Sequence, residues 1–263
     1  MIKLLTNCNN IQKSQACCHT DGRICCCYNC LRDGFYAGID SYSCLKKLCY
    51  YVMNYGPAYV SEIYHFLGAS RLLENNFHNS INVLSLGCGF GPDFIALQKY
   101  IYDNNLSTDV KYFGYDQEQN WLNITHGIIN NLPIIANILN GFTLKNRNII
   151  FLNKFFSTLL KNGTARKFLD KFIPEIKNVM SAGSVIVFND VNHYKLGRDV
   201  FDSEVGKVAA IEGKYFFNIE SAYSNNFTEI PWIQNICNIP DGLPISPKNS
   251  VTKSVFYVYK KIS

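Results

Sequence analysis

The chain has little charge: Asp, Glu, Lys and Arg together make up 17% of its 263 residues. That excludes a solvated or disordered polymer, and a hydrophobic share of 48% supplies an ample core. No apolar run reaches the ~18 residues of a membrane span, so no membrane partner is expected. The N-terminus, with Ile2, Leu4 and Leu5, lacks the long apolar region of a signal peptide. A cytoplasmic protein is therefore expected, with its eleven cysteines reduced or metal-bound. No dense Lys/Arg run accompanies the net charge of +5. The nearest, 161–171 with Arg166 and Lys167, reads as a solvated helix face. The net charge mildly favours an acidic partner such as RNA. No Gly-x4-Gly-Lys-Ser/Thr phosphate loop occurs. Nothing in the sequence speaks to oligomeric state.

One stretch organises the rest. Val83 to Leu86 is a short apolar run, followed by Gly87, Gly89 and Gly91 at alternate positions. A helical pattern begins near Pro92, with Phe94, Ile95, Leu97 and Ile101 at helical spacing. This is a strand, a tight glycine turn and a helix N-terminus whose free N–H groups face a crevice. Val110 to Asp116 reads as the next strand and ends in an acid at the distance where a βαβ unit meets ribose hydroxyls. The spacing is Gly-x-Gly-x-Gly, not the Gly-x-Gly-x-x-Gly of dinucleotide enzymes.

Leu86-Gly-Cys-Gly-Phe-Gly-Pro-Asp93 followed by Phe113-Gly-Tyr-Asp116 resembles the class I S-adenosylmethionine-dependent methyltransferases. The resemblance covers roughly 81–191. It implies an α/β fold with a Rossmann-like, mostly parallel sheet and an antiparallel terminal hairpin, preceded by a Cys-rich and helical extension. It further implies S-adenosylmethionine as cofactor, held by Leu86, Gly87, Cys88, Gly89, Gly91, Asp93, Asp116 and Gln117. Two departures stand out. Ser85 and Leu86 occupy the place where the family often carries an acid, and no acid follows the expected third strand, 142–144. The Asn/Asp-Pro-Pro-aromatic box of amino-methylating members is absent at 153–156, and no Pro-Cys nucleophile occurs. Tyr55-Gly-Pro-Ala-Tyr59 is distantly similar to a helix of certain ribosomal methyltransferases.

Three segments are expected: a Cys-rich stretch 1–42, a helical cap 43–78 and a cofactor-binding domain 79–263. Cys27, Cys30, Cys44 and Cys49 are spaced to suit a structural tetrahedral zinc, with Cys17, Cys18, His19 and Cys25 as rival ligands. The alternative is thiols packing as small apolar residues. The cap reads as helices broken at 54–57. Further helices are expected over 121–139, 157–180 and 205–213, with strands at 148–156, 184–190, 214–219 and 251–260. Asn153 and Lys154, at a strand end facing the crevice, are candidates for acceptor contact. His193 is the candidate general base, since imidazole titrates near neutral pH. The expected function is methyl transfer to an acceptor, RNA being favoured over protein or a small molecule. The alternative is an inactive cofactor-fold module whose Cys-rich arm binds RNA or a partner.

Overall fold

The structure is a computed structural model and describes residues 1–14, 27, 29–31, 43–77, 80–129, 134–217, 227–230, 234–249 and 253–262. Five strands run parallel to one another. They are β1 (Ser80–Leu86), β2 (Asp109–Asp116), β3 (Ile134–Ile135), β4 (Ile149–Asn153) and β5 (Val185–Val191). β6 (Ala210–Phe217), β7 (Thr228–Glu229) and β8 (Ser254–Lys260) complete the sheet in the order β3-β2-β1-β4-β5-β8-β6-β7. β8 runs antiparallel to both β5 and β6. This is the expected Rossmann-like sheet with its antiparallel terminal pairing.

Alternation along the strands splits the core into two layers. Ile81, Val83, Phe151, Val187 and Phe256 face one side. Helices α1 (Ile2–Ser14), α2 (Leu45–Ser70), α3 (Leu72–Asn76), α4 (Pro92–Asp103) and α5 (Asn120–Thr125) lie there. Leu84, Leu86, Leu152, Phe188 and Tyr257 face the other side. They pack on α6 (Phe156–Lys161), α7 (Ala165–Asn178) and α8 (Arg198–Val205).

Several elements differ from expectation. α2 runs unbroken through Pro57, although an interior proline removes an N–H and crowds the preceding turn. The helix is buried along most of its length, and a carbonyl beside the break, Asn54 O, accepts the Lys248 N–H at 2.9 Å. The helix expected over 121–139 stops at Thr125, and the third strand is Ile134–Ile135, not 142–144. The helix expected over 157–180 is two, split at Gly163 with φ +68°. In place of a helix at 205–213, α8 ends at Val205 and β6 begins at Ala210.

The N-terminal cysteines also behave differently. The first fourteen residues form α1, which packs on α2 and buries Leu4, Leu5 and Cys8. Cys8 and Cys49 meet in that interface, and the contact together with burial pushes the Cys8 thiol up. Among the described residues, which include Cys27, Cys30, Cys44 and Cys49, no group of three or more His, Cys, Asp or Glu side chains is arranged to hold a metal. The described residues thus give the expected four-thiolate zinc site no support, and Cys49 is fully buried. Cys17, Cys18, His19 and Cys25 lie outside the described residues. No described helix is long and apolar enough to cross a membrane.

Candidate active site

The strand order reverses between β1 and β4, so their carboxyl ends diverge and leave a crevice. A cavity of about 380 Å³ occupies it. Its floor is the turn after β1. Gly87, Gly89 and Gly91 all take positive φ, at 70°, 54° and 73°. The turn is tied to β2: Gly87 and Cys88 both donate backbone N–H bonds to Tyr115 O, at 2.8 and 3.1 Å. Gly89 N–H donates to Asp116 Oδ2 at 2.9 Å, and Glu118 N–H donates to Asp116 Oδ1 at 2.9 Å. Each carboxylate oxygen keeps a second acceptor direction for a ligand. Burial pushes the Asp116 carboxyl above its ordinary range, opposed by the backbone N–H bonds.

Gly87, Cys88, Gly89, Asp116 and Gln117 all line the cavity, as do Asn153 and Lys154. The Phe155 ring sits against Gly87 and fills the space where a Cβ would lie, so the approach to the turn is over Cys88 and Gly89. The Cys88 side chain is buried towards Gly114, and desolvation, reinforced by Asp116 and Asp93, pushes its thiol far up. Burial of this kind lowers a thiol's reactivity.

Four expected site residues are placed differently. Leu86 points into the layer below the sheet, with Leu84. Gly91 is the N-cap of α4 and does not border the cavity. Asp93 is wholly buried behind the turn, where its Oδ1 accepts the Tyr112 hydroxyl at 2.9 Å. His193 is exposed and off the cavity; its Nδ1 accepts the Lys195 N–H at 3.2 Å and caps a short 3-10 turn, Tyr194–Leu196.

Lys154 is neither a solvent charge nor available to an acceptor. From a left-handed backbone (φ +52°) its Nζ reaches Glu62 Oε1 at 2.9 Å, Asn189 Oδ1 at 3.0 Å and Ser254 Oγ at 2.6 Å. An ammonium has three N–H donors, and all three are spent. Glu62 lies on α2, so the bond pins that helix to β4, β5 and β8.

The cavity also contains residues that the sequence reading did not assign to it. Asn137, Ile138 and Leu139 follow β3 and line the cavity together with Gln117 and Glu118. They were hidden by placing the third strand eight residues too late. Their signal is the Ile-Ile pair just beyond Pro133. Tyr51 and Trp121 join Tyr59 in an aromatic wall: Tyr51 meets Trp121 edge-on at 6.1 Å and Tyr59 at 6.0 Å.

The reversal at β1/β4, the glycine turn after β1 and the antiparallel β8 make this the Rossmann-like, mostly parallel α/β sheet expected from the sequence. No protein-family model matches the chain, and no curated protein does. Solved structures are similar at low identity. A S-adenosylmethionine-dependent methyltransferase from Clostridium acetobutylicum shares 12% identity over 90% of this chain and 100% of its own, with a TM-score of 0.47. The N-methyltransferase NodS from Bradyrhizobium japonicum, in complex with S-adenosylhomocysteine, shares 11% over 90% and 99%, at 0.46. An rRNA methylase from Escherichia coli shares 11% over 89% and 75%, at 0.46.

Proposed function

We propose that this chain binds S-adenosylmethionine in the crevice and transfers its methyl group to an acceptor, RNA being favoured. The carrying observation is that the glycine turn and Asp116 border one cavity. The residues fit the cofactor. Gly89 presents bare backbone, with nothing nearer to its Cβ position than the Trp121 ring at 3.5 Å. Asp116 keeps acceptor directions for two ribose hydroxyls. Asn137, Ile138 and Leu139 offer an apolar slot with one amide for the adenine. The volume lies in the range of small-molecule sites, about 300–1,000 Å³.

S-adenosylmethionine, when bound, supplies a methyl group already activated on a sulfonium. The protein's part is then to orient two reactants and keep water out. The turn at Cys88 and Gly89 positions the cofactor, Asp116 fixes its sugar, and the aromatic wall with Asn153 encloses the acceptor. The RNA preference rests on the net charge of +5.

Calorimetric titration with S-adenosylmethionine and S-adenosylhomocysteine tests this reading. One site per chain is expected, and Asp116→Ala is expected to weaken it by about 1–3 kcal/mol. A thermal melt of the variant separates lost ribose contacts from a loosened turn. Affinity unchanged by the substitution contradicts the assignment. Binding without turnover on any RNA favours the inactive-module alternative.

A further inference from the structure

We propose that a second pocket, where α7, α8 and β8 end, binds a phosphate group at the end of the sheet opposite the crevice. This does not depend on the cofactor reading.

Place comes first. Lys260, the last residue of β8, pairs with Val185 at the start of β5 and with Ala210 at the start of β6. The crevice lies at the carboxyl ends of the parallel strands, so Lys261 stands at the other end of the sheet. Its backbone is fixed on both sides. Lys261 N–H donates to Ser184 O at 3.0 Å, and Lys261 O accepts the Gly183 N–H at 2.7 Å. The pocket here has a volume of about 430 Å³, with Val208, Ala209 and Ile262 as apolar lining. That is room for a phosphate and a small group attached to it.

Charge comes second. Lys177, Lys207 and Lys261 line the pocket, and among the described lining residues there is no Asp or Glu. Lys177 sits in the last turn of α7, and Lys207 follows α8. Exposed cations at helix carboxyl ends answer the helix dipole and imply no ligand by themselves. Lys207 also has a carboxylate, Glu204 Oε1 at 2.7 Å.

Lys261 is different. It comes from a strand end and is only 8% exposed. Its Nζ makes one long hydrogen bond, to Lys177 O at 3.5 Å, and among the described residues no carboxylate pairs with it. An ammonium has three donors, so two are left for the pocket. Burying a charge without a counter-ion is costly, and buried charges are as a rule paired. The carbonyl pole of α7 offsets only about half a charge. The complement is a compact anion with several acceptor oxygens. Phosphate has that form, and lysines are common partners for it. Three lysines from three elements can meet its tetrahedron from different directions, where a planar carboxylate offers two oxygens. The group can belong to a free phosphate ester or to the backbone of a strand of RNA.

The test uses the full chain at constant ionic strength. It is titrated with inorganic phosphate, with uridine 5′-monophosphate and with a labelled oligouridine lacking terminal phosphates. Phosphorus NMR follows the small ligands and fluorescence anisotropy the RNA, because phosphate raises melting temperatures without a specific site. Inorganic phosphate is expected to bind, and saturating S-adenosylhomocysteine not to displace it. Lys261→Met is expected to weaken phosphate about 10- to 150-fold, as loss of a hydrogen-bonded charge does. Lys261→Arg is expected to retain it. Tighter binding of the monophosphate than of the RNA assigns the site to a free ester. RNA binding that Lys261→Met weakens assigns it to a strand backbone. The proposal is overturned if inorganic phosphate at millimolar concentration does not bind, if S-adenosylhomocysteine displaces it, or if Lys261→Met binds it as the wild type does. Should Lys261→Met fail to fold, Lys177→Gln with Lys207→Gln decides, since both side chains are exposed: weakened phosphate supports the site, and unchanged affinity overturns it. Failure of S-adenosylhomocysteine to bind bears on the cofactor reading alone.

Discussion

Gly87 carries two constraints at once. Its backbone sits at φ +70°, and the Phe155 ring occupies the space of a side chain. Gly87→Ala is expected to cost about 1–2 kcal/mol for the left-handed backbone and about 1–3 kcal/mol for overpacking. Chemical denaturation measures the sum, and adding Phe155→Ala is expected to recover part of the second term. Behind the turn, the Asp93 carboxyl faces the Ser85 and Tyr112 hydroxyls, the latter donating to Oδ1 at 2.9 Å. Burial pushes the Asp93 carboxyl above its ordinary range, against the hydrogen bonds that favour its charged form. The folded protein therefore holds this proton more tightly than the unfolded chain. The stability it contributes is present below the unfolded value of about 3.9 and is lost as pH rises through the raised folded value. Asp93→Asn is expected to match the wild type in acid and to gain on it above that window, because the amide stays neutral and can donate to Ser85. Melting temperatures across pH check this; parallel curves contradict it. That Gly87, Gly89 and Asp116 border one cavity was legible, because their spacing is dictated by the crevice edge of a βαβ unit. The placement of Leu86 and Asp93 was not, because adjacency along the chain does not say which way a side chain points. For Leu86 the strand period, shared with Leu84, already pointed to the core.

At the scale of elements, the connection between cap and sheet matters most. The Lys154–Glu62 pair is almost wholly out of water, with side-chain exposures of 9% and 0%. Removing one partner strands the other. Lys154→Met is expected to cost about 3–5 kcal/mol, and Glu62→Leu with Lys154→Met to return to wild-type stability or above. Urea denaturation of these variants and of Glu62→Leu alone checks this, and a double variant whose loss equals the sum of the two single losses would show that the pair is not coupled. The sequence pointed to Lys154 as a strand-end residue at the cleft, but not to its partner 92 positions away. The same blindness to tertiary context explains Pro57. The local rule for a helix break was sound, and α2 overrides it because burial against α1 and the sheet outweighs one lost N–H bond. The third strand was missed for another reason: Ile134–Ile135 is too short to show a period of its own.

For the molecule as a whole, composition and the glycine turn sufficed for a three-layer α/β architecture, since parallel strands buried on both faces read as apolar runs. The N-terminal cysteines were not legible in this way, because thiol spacing alone does not distinguish a metal knuckle from small core residues. Cys49, sealed against Cys8 between two helices, is fully buried. The account as a whole stands on a sulfonium nucleoside seated between Gly89 and Asp116. A crystal structure of the chain with S-adenosylhomocysteine addresses this most directly. Both ribose hydroxyls are predicted within hydrogen-bond distance of the Asp116 carboxylate, with the adenine against Ile138. Ligand density elsewhere, or an Asp116 that bonds only its own backbone while the Phe155 ring fills the crevice, would contradict it.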